Sequence, residues 1–318
     1  GGPVGVRVRS AAASAAGTRG CAVQEPPTGL RAGGRLATWR PRRPSHVALD
    51  VDGTLLSGGA LPTERVAAAV RATIADGITV GVATGRMPSA VAPLLAAGGF
   101  TGPHVVHNGA AVVAGDGRVL AAWTLTADEV TALLALGMGR DDLLIEIYAA
   151  DAYRTARPDP RSVRHATLLG VEPAGTIAVP DDLGAPAVKA VVLASTPAAE
   201  RDAVALAGEL GLAAGSASAP SVPDIRFVNI THGATDKGAG VAAAATALGL
   251  GTVDVAAVGD EANDLPLLTV VGTAIAMGDA GAAVRAAAHL VAPTLAEDGA
   301  AVALDALRDL DPDQTPGA

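Results

Sequence analysis

Two aspartates separated by one residue, Asp50 and Asp52, close the stretch His46-Val47-Ala48-Leu49-Asp50-Val51-Asp52 and run into Gly53-Thr54-Leu55-Leu56. Val47–Val51 has strand composition, and a buried strand has no use for unpaired carboxylates, because burying charge is expensive. Residues two apart on a strand point to the same side. If the strand continues to Asp52, both carboxylates converge on one point. Two carboxylates held close repel, or force up a pKa, unless a cation lies between them. The simplest such cation is a hard divalent ion with oxygen ligands, Mg²⁺. The same segment also reads as a strand ending in an Asp-x-Asp-Gly turn whose carboxylates only hydrogen-bond the loop.

Other strand ends bear on that choice. Thr84-Gly85 follows the apolar run Ile78–Ala83, and Asp260 with Asn263-Asp264 follows Val253–Val258. Lys237 opens a helical stretch in Thr235-Asp236-Lys237-Gly238 and is one of only two lysines, the other being Lys189. In open α/β sheets ligands bind beyond the carboxyl ends of strands. Each feature alone is weak, but together and in this order they describe one site.

The elements that must position these residues come in two grammars. From Ser45, strands alternate with helices: Val47–Val51, a helix over Thr63–Asp76 with Val66, Val70 and Ile74 on one face, Ile78–Ala83, and a helix over Pro88–Ala97. His104–Val106 and a hairpin turning at Asp116-Gly117 follow. Thr126-Ala127-Asp128-Glu129 is a capping box opening a helix to Leu136. Beyond it, paired strands (Leu143–Ala149 with Ala152–Thr155, Val188–Ala194, Asp224–Ile230) are separated by Pro- and Gly-rich loops over much of Arg157–Pro186 and by a helix from Thr196 to Gly211. Alternation resumes at Asp236 and runs to a closing helix over Asp298–Leu307. The expected fold class is α/β: a Rossmann-like doubly wound parallel sheet over 45–124 and 233–308, with an inserted α+β unit at 125–232 carrying an antiparallel sheet.

At 318 residues and 50% hydrophobic content the chain can bury a full core, with a length suited to about two domains. Mean hydropathy is +0.38, yet no stretch reaches the ~20 apolar residues of a transmembrane helix, so a soluble protein without a membrane partner is expected. Net charge is −9, but residues 1–44 hold eight arginines against the single acid Glu25, leaving the body far more acidic. Such a body is a poor general binder of nucleic acid. Residues 1–44 lack apolar periodicity and read as a disordered basic extension; a transit peptide or a polyanion-binding arm fits the same composition. No secretory apolar region is visible, so a cytoplasmic location is expected. Cys21, the sole cysteine, excludes a disulfide framework and a thiolate metal site.

The motifs Asp50-Val51-Asp52-Gly53-Thr54-Leu55-Leu56, Ala83-Thr84-Gly85-Arg86, the Lys237 region and Gly259-Asp260-Glu261-Ala262-Asn263-Asp264 resemble, in order, the four motifs of the haloacid dehalogenase superfamily. His107-Asn108-Gly109-Ala110 and Ala276-Met277-Gly278-Asp279-Ala280 resemble its Cof-type phosphatases, which carry a large α+β cap. The resemblance covers 45–308, with Asp279 standing where Asn is usual. It implies a phosphatase acting on a small phosphorylated metabolite, such as a sugar phosphate. Asp50 would be the nucleophile that forms an aspartyl-phosphate, and Asp52 the general acid and base. Mg²⁺ would sit on the Asp50 carboxylate, the Asp52 main-chain carbonyl and Asp260. Thr84, Gly85, Lys237 and Asn263 would hold the phosphate, and Asp264 would orient Lys237 or the metal shell. A phosphotransferase or mutase of the same superfamily, and a non-catalytic phosphometabolite sensor, are the rival readings.

The remaining candidates have milder roles. His46, His104, His107, His165, His232 and His289 show no metal-ligand spacing and are expected to be structural or on the surface. Tyr148, Tyr153 and Arg154 could face a substrate, or the tyrosines could pack on a sheet face; Arg86 could shape an entrance. Substrate identity and oligomeric state have no readable motif.

Overall fold

The alternation of short apolar runs with amphipathic helices folds as expected. The computed structural model describes residues 25–56, 61–219 and 221–311. The first part of the chain supplies β1 (Arg31–Ala32), β2 (His46–Leu49), α1 (Glu64–Ala75), β3 (Thr79–Val82), α2 (Pro88–Gly98), β4 (His104–Val106), β5 (Ala111–Val113) and β6 (Val119–Ala122). Thr63 caps α1 by accepting a hydrogen bond from the Val66 amide at 3.2 Å. The middle part supplies α3 (Ala127–Leu136), β7 (Leu143–Tyr148), β8 (Tyr153–Thr155), α4 (Pro160–Leu169), β9 (Lys189–Ala194), α5 (Pro197–Glu209), β10 (Ala213–Ser218) and β11 (Arg226–Thr231). The last part supplies α6 (Lys237–Ala247), β12 (Val255–Gly259), α7 (Leu265–Val270), β13 (Thr273–Ala276), α8 (Ala282–Ala287), β14 (Leu290–Val291) and α9 (Gly299–Arg308).

The main sheet has the order β1-β14-β13-β12-β2-β3. All pairs from β14 to β3 are parallel, and β1 joins β14 antiparallel. Val47, Ala48 and Leu49 of β2 are essentially unexposed, as a parallel strand covered on both faces requires. From β2 the chain moves outward to β3, whereas after the insertion it returns to β12 and moves outward the other way. The strand order therefore switches direction between β2 and β12, where a doubly wound sheet opens a crevice at its carboxyl edge.

The middle part forms a second, antiparallel sheet, β10-β11-β9-β7-β8. Its strands show the period of two: Leu143, Ile145 and Ile147 pack with Ala190, Val192 and the helix residues Val130, Leu133, Ala199 and Ala203. On the opposite face Leu144, Tyr148, Val191, Leu193 and Phe227 form a separate cluster.

Two expectations need correction. Residues 1–24 lie outside the described residues, but 25–44 are folded onto the core rather than disordered. Trp39 is 1% exposed and its indole Nε1 donates to Thr273 Oγ1 at 3.0 Å, while Arg35 donates to the carbonyls of Leu268 and Ala287. Gly33 and Gly34 permit this docking, since a Cβ on either would lie within 2.5 Å of a carbonyl oxygen of Ala288 or Ala286. Second, the presumed loops over Arg157–Pro186 contain α4, capped by Asp159, which accepts from the Arg161 amide at 2.9 Å, and ended by Gly170 at φ 66°. Ala213–Ser218, to which the sequence assigns no element, forms the edge strand β10 despite its small, mostly exposed residues, because the Arg226–Thr231 ladder pairs with it along its whole length.

Candidate active site

Asp50 continues the pairing of β2 for one residue, its amide donating to Val258 O at 2.9 Å. The backbone then turns, with Gly53 at φ 87°. A Cβ at Gly53 would fall 2.1 Å from Asp260 Oδ2, so glycine here serves both the left-handed conformation and the approach of the β12 loop. The strand does not extend to Asp52, so the two carboxylates do not converge. Asp50 is buried, whereas Asp52 is exposed and forms a bidentate pair with Arg86, at 2.5 Å and 2.9 Å. The acidic side chains that do meet Asp50 are Asp260 and Asp264; among the described residues these three place oxygens within 4.8 Å of one another.

Lys237, at the first position of α6, reaches into this cluster. Its Nζ donates to Asp50 Oδ1 at 2.5 Å and to Asp264 Oδ1 at 2.7 Å, and its side chain is 2% exposed. The other oxygen of Asp264 accepts from the amides of Asp260 and Glu261, at 2.9 Å and 3.1 Å. Asp264 thus fixes both the lysine and the loop carrying Asp260. Thr54 Oγ1 donates to Asp260 Oδ1 at 2.8 Å.

The electrostatics of the cluster show what it lacks. Burial pushes Asp50 well above the ordinary carboxylate range; Lys237 opposes this, and Asp264 and Asp260 add to it. Asp260 is pushed up to about 6, by burial first and by Asp264 and Glu261 in addition, against the Thr54 hydrogen bond. Burial disfavours the Lys237 ammonium, yet Asp50 and Asp264 outweigh it and hold the lysine charged. Three carboxylates share one ammonium, so the excess negative charge equals that of one divalent cation. The donor set is oxygen only, which suits a hard cation. Asp50 Oδ2 and Asp260 Oδ2 accept no hydrogen bond among the described residues, whereas both oxygens of Asp264 are engaged. Asp50 and Asp260 therefore fit a divalent metal, with Asp264 behind them.

On the other side of β2, Thr84 is buried, and its hydroxyl accepts from the Arg86 amide at 3.2 Å. Gly85 follows at a half-buried position, and Asn263 is exposed on the β12 loop. The turn His107-Asn108-Gly109 backs this segment. The Asn108 amide donates to Thr84 O at 2.9 Å and the His107 amide to Arg86 O at 3.0 Å. His107 and Asn108 take φ of 52° and 55°, which costs non-glycine residues about 1–2 kcal/mol each. Gly109 could not carry a Cβ, which would meet Asp236 O at 1.9 Å, so the turn is locked against the start of the helix bearing Lys237.

Sequence reasoning missed two features. The Arg86–Asp52 pair joins residues 34 positions apart, and no local pattern foretells it. Lys189 of the inserted sheet donates to Gly85 O at 3.4 Å; its rarity in a chain with two lysines was the one available signal. Tyr148 and Tyr153 are packed, with rings stacked at 4.7 Å and hydroxyls donating to Glu146 and to Val171 O. Arg154 donates to Thr176 O. Asp279 accepts from the Leu295 amide at 3.3 Å.

A sequence pattern described as haloacid dehalogenase-like hydrolase matches residues 47–304. The chain is 27% identical over 283 residues to "Putative phosphatase YxeH" of Bacillus subtilis (strain 168), covering 82% of this chain and 97% of that protein. A segment of 79 residues is 38% identical to a "Putative phosphatase" of Haemophilus influenzae, but it covers 25% of this chain and 30% of that protein. Among solved structures, the HAD subclass IIB sugar phosphatase BT4131 superposes with a TM-score of 0.68 at 22% identity, over 82% of this chain and 98% of that one. This last likeness is one of fold.

Proposed function

The chain belongs to the haloacid dehalogenase-like hydrolases, and from that premise we propose that it is a Mg²⁺-dependent phosphatase of small phosphorylated metabolites working through an aspartyl-phosphate. The observation that carries this reading is the buried Asp50–Lys237–Asp264 cluster with Asp260 beside it, at the carboxyl ends of β2 and β12. Mg²⁺ held by Asp50, Asp260 and the Asp52 carbonyl would offset the repulsion between a phosphomonoester and these carboxylates.

The chain's own residues divide the work. Lys237 fixes Asp50 through Oδ1, and the carboxylate so oriented attacks phosphorus. Thr84, the Gly85 amide, Asn263 and Lys237 hold the phosphoryl oxygens. The bond from phosphorus to the ester oxygen breaks, and Asp52, which takes a proton from solvent on leaving Arg86, gives it to the departing alcohol. Asp52 then takes a proton from water, which attacks phosphorus and releases phosphate and free Asp50. For the first step Asp52 exchanges Arg86 for the leaving oxygen. The inserted domain, taken as residues 125–232, acts as a cap that shields the phosphoenzyme from bulk water.

Release of phosphate from p-nitrophenyl phosphate tests this. The wild-type protein with Mg²⁺ is expected to turn over, while Asp50→Asn and EDTA treatment each reduce release to background. Full activity in either condition overturns the mechanism.

A further inference from the structure

We propose that Lys189 is a specificity residue that binds a second anionic group, a carboxylate or another phosphate, on the leaving-group side of the substrate. The inference rests on the phosphatase reading above and narrows its substrate class.

Lys189 opens β9 of the inserted sheet and is 7% exposed. A buried ammonium ordinarily has a carboxylate partner, yet among the described residues Lys189 makes no ion pair. The one hydrogen bond its ammonium makes among the described residues is the long contact to Gly85 O, across the seam between the inserted domain and the core. Its Nζ lies 5.3 Å from the Tyr148 ring centroid, a contact that favours a cation but does not neutralise it.

A carboxylate is within one register step, and Lys189 does not use it. Tyr148 pairs with Lys189 and Glu146 with Val191, so Glu146 is on the same sheet face. The Glu146 oxygens already accept from Tyr148 at 2.7 Å and Ser162 at 3.0 Å, and contact His165 Nδ1 at 2.7 Å. The ammonium turns instead toward the loop whose neighbouring Thr84 and Gly85 amide are assigned to the phosphate. Burial lowers the Lys189 pKa to about 8, with Glu146 pulling the other way, consistent with a charge that awaits a partner.

A second polar group meets the same loop. The Asn108 carboxamide packs on Gly85, where a Cβ would lie 2.9 Å from Oδ1, and that oxygen is shielded from solvent without a hydrogen-bond partner. An ammonium with donors to spare and an amide oxygen without a donor thus converge on Gly85. A leaving group bearing only apolar atoms would leave both unsatisfied, whereas one with an anionic oxygen and a hydroxyl would engage the lysine with the first and donate to Asn108 Oδ1 with the second.

The test uses matched substrates with the full chain and Mg²⁺: 3-phosphoglycerate against glycerol 3-phosphate, and fructose 1,6-bisphosphate against fructose 1-phosphate. The wild type is expected to favour the anionic member of at least one pair by about 10-fold or more in kcat/KM, the range of a charge-assisted hydrogen bond. Lys189→Met should abolish that preference mainly through KM, and Lys189→Arg should keep part of it. Methionine leaves no buried charge behind, so the variant is expected to fold; the wild-type preference tests the inference even if it does not. No preference in either wild-type pair, or an equal loss for both members in Lys189→Met, overturns it. Calorimetric binding of the same compounds to Asp50→Asn separates the two readings. Preference there without wild-type turnover defeats the phosphatase reading alone, while turnover without preference defeats this inference alone.

Discussion

Lys237 has a cation's usual surroundings reversed: it sits in the interior because two buried carboxylates need it. Removing one member of such a group leaves the others uncompensated, which typically costs about 3–5 kcal/mol. Lys237→Met should therefore lower the stability of the metal-free protein by about that amount in denaturant titrations, besides weakening phosphate turnover. Lys237→Arg should not restore function, since a planar fork does not fit where one ammonium bridges Asp50 and Asp264 at 2.5 Å and 2.7 Å. Gly53→Ala acts at the same point by another route. It adds strain at φ 87° and a Cβ on top of Asp260 Oδ2, so the variant should lose metal affinity, read by Mg²⁺ titration, as well as stability. Asp50, Thr84, Lys237 and Asp260 were legible in the sequence because each is a polar residue where a strand or helix end leaves core packing no reason for it. Asp52 was legible as a residue but not in its placement, because which side chain it meets depends on Arg86 arriving from β3. Lys189 was hidden for a similar reason: its neighbours are set by the β7–β9 register and by docking of the inserted sheet on Gly85.

At the scale of elements, legibility followed periodicity. Strands β2, β3, β12 and β13 are short apolar runs ending in polar loops, and all were readable. Helix α4 was not, although Asp159, Pro160 and Gly170 give it a cap, a first-turn proline and a terminator; the prolines around it suggested a loop. Strand β10 has no apolar alternation to read, and its pairing comes from β11. The segment 25–44 was misread because basic, Gly-rich composition masked one decisive residue. Trp39 buries its ring against the core and satisfies its indole N–H on Thr273 of β13, while β1 covers the free edge of β14. Trp39→Ala should cost about 3–5 kcal/mol, the usual loss for a large buried aromatic, measurable as a lowered denaturation midpoint. Thr273→Val, which removes the hydrogen-bond acceptor and keeps the volume, should cost about 1–3 kcal/mol. If Trp39→Ala leaves the midpoint unchanged, the segment does not contribute to the stability of the core.

The whole molecule carries a second consequence of burying polar side chains in a small-residue core. Burial lowers His46, His104 and His289 to about 4 and His107 to about 3, with His104 adding to the effect at His46, Lys189 at His107 and Arg35 at His289. The geometry agrees, since His289 Nδ1 accepts from the Ala274 amide at 3.0 Å and must be unprotonated to do so. Above about pH 6.5 these imidazoles are neutral whether folded or unfolded and do not affect the balance. Between about 6.5 and 4 the unfolded chain takes up protons that the folded chain refuses, so stability falls as pH falls, by up to about 1.4 kcal/mol per pH unit for each histidine. The raised carboxylates Asp50 and Asp260 act in the opposite sense in the metal-free protein, because there the folded state binds the proton more tightly. Mg²⁺ bound to them would hold them deprotonated and remove that compensation. Unfolding free energy measured by urea titration from pH 7 to pH 5 should therefore drop by several kcal/mol with saturating Mg²⁺, and less steeply with EDTA. His289→Asn keeps an acceptor near the Nδ1 position but cannot titrate, so it should flatten the slope by one histidine's share. A pH-independent unfolding free energy over this range in Mg²⁺ would show that the folded chain takes up these protons as readily as the unfolded chain, contrary to the hydrogen bonding of the buried histidines.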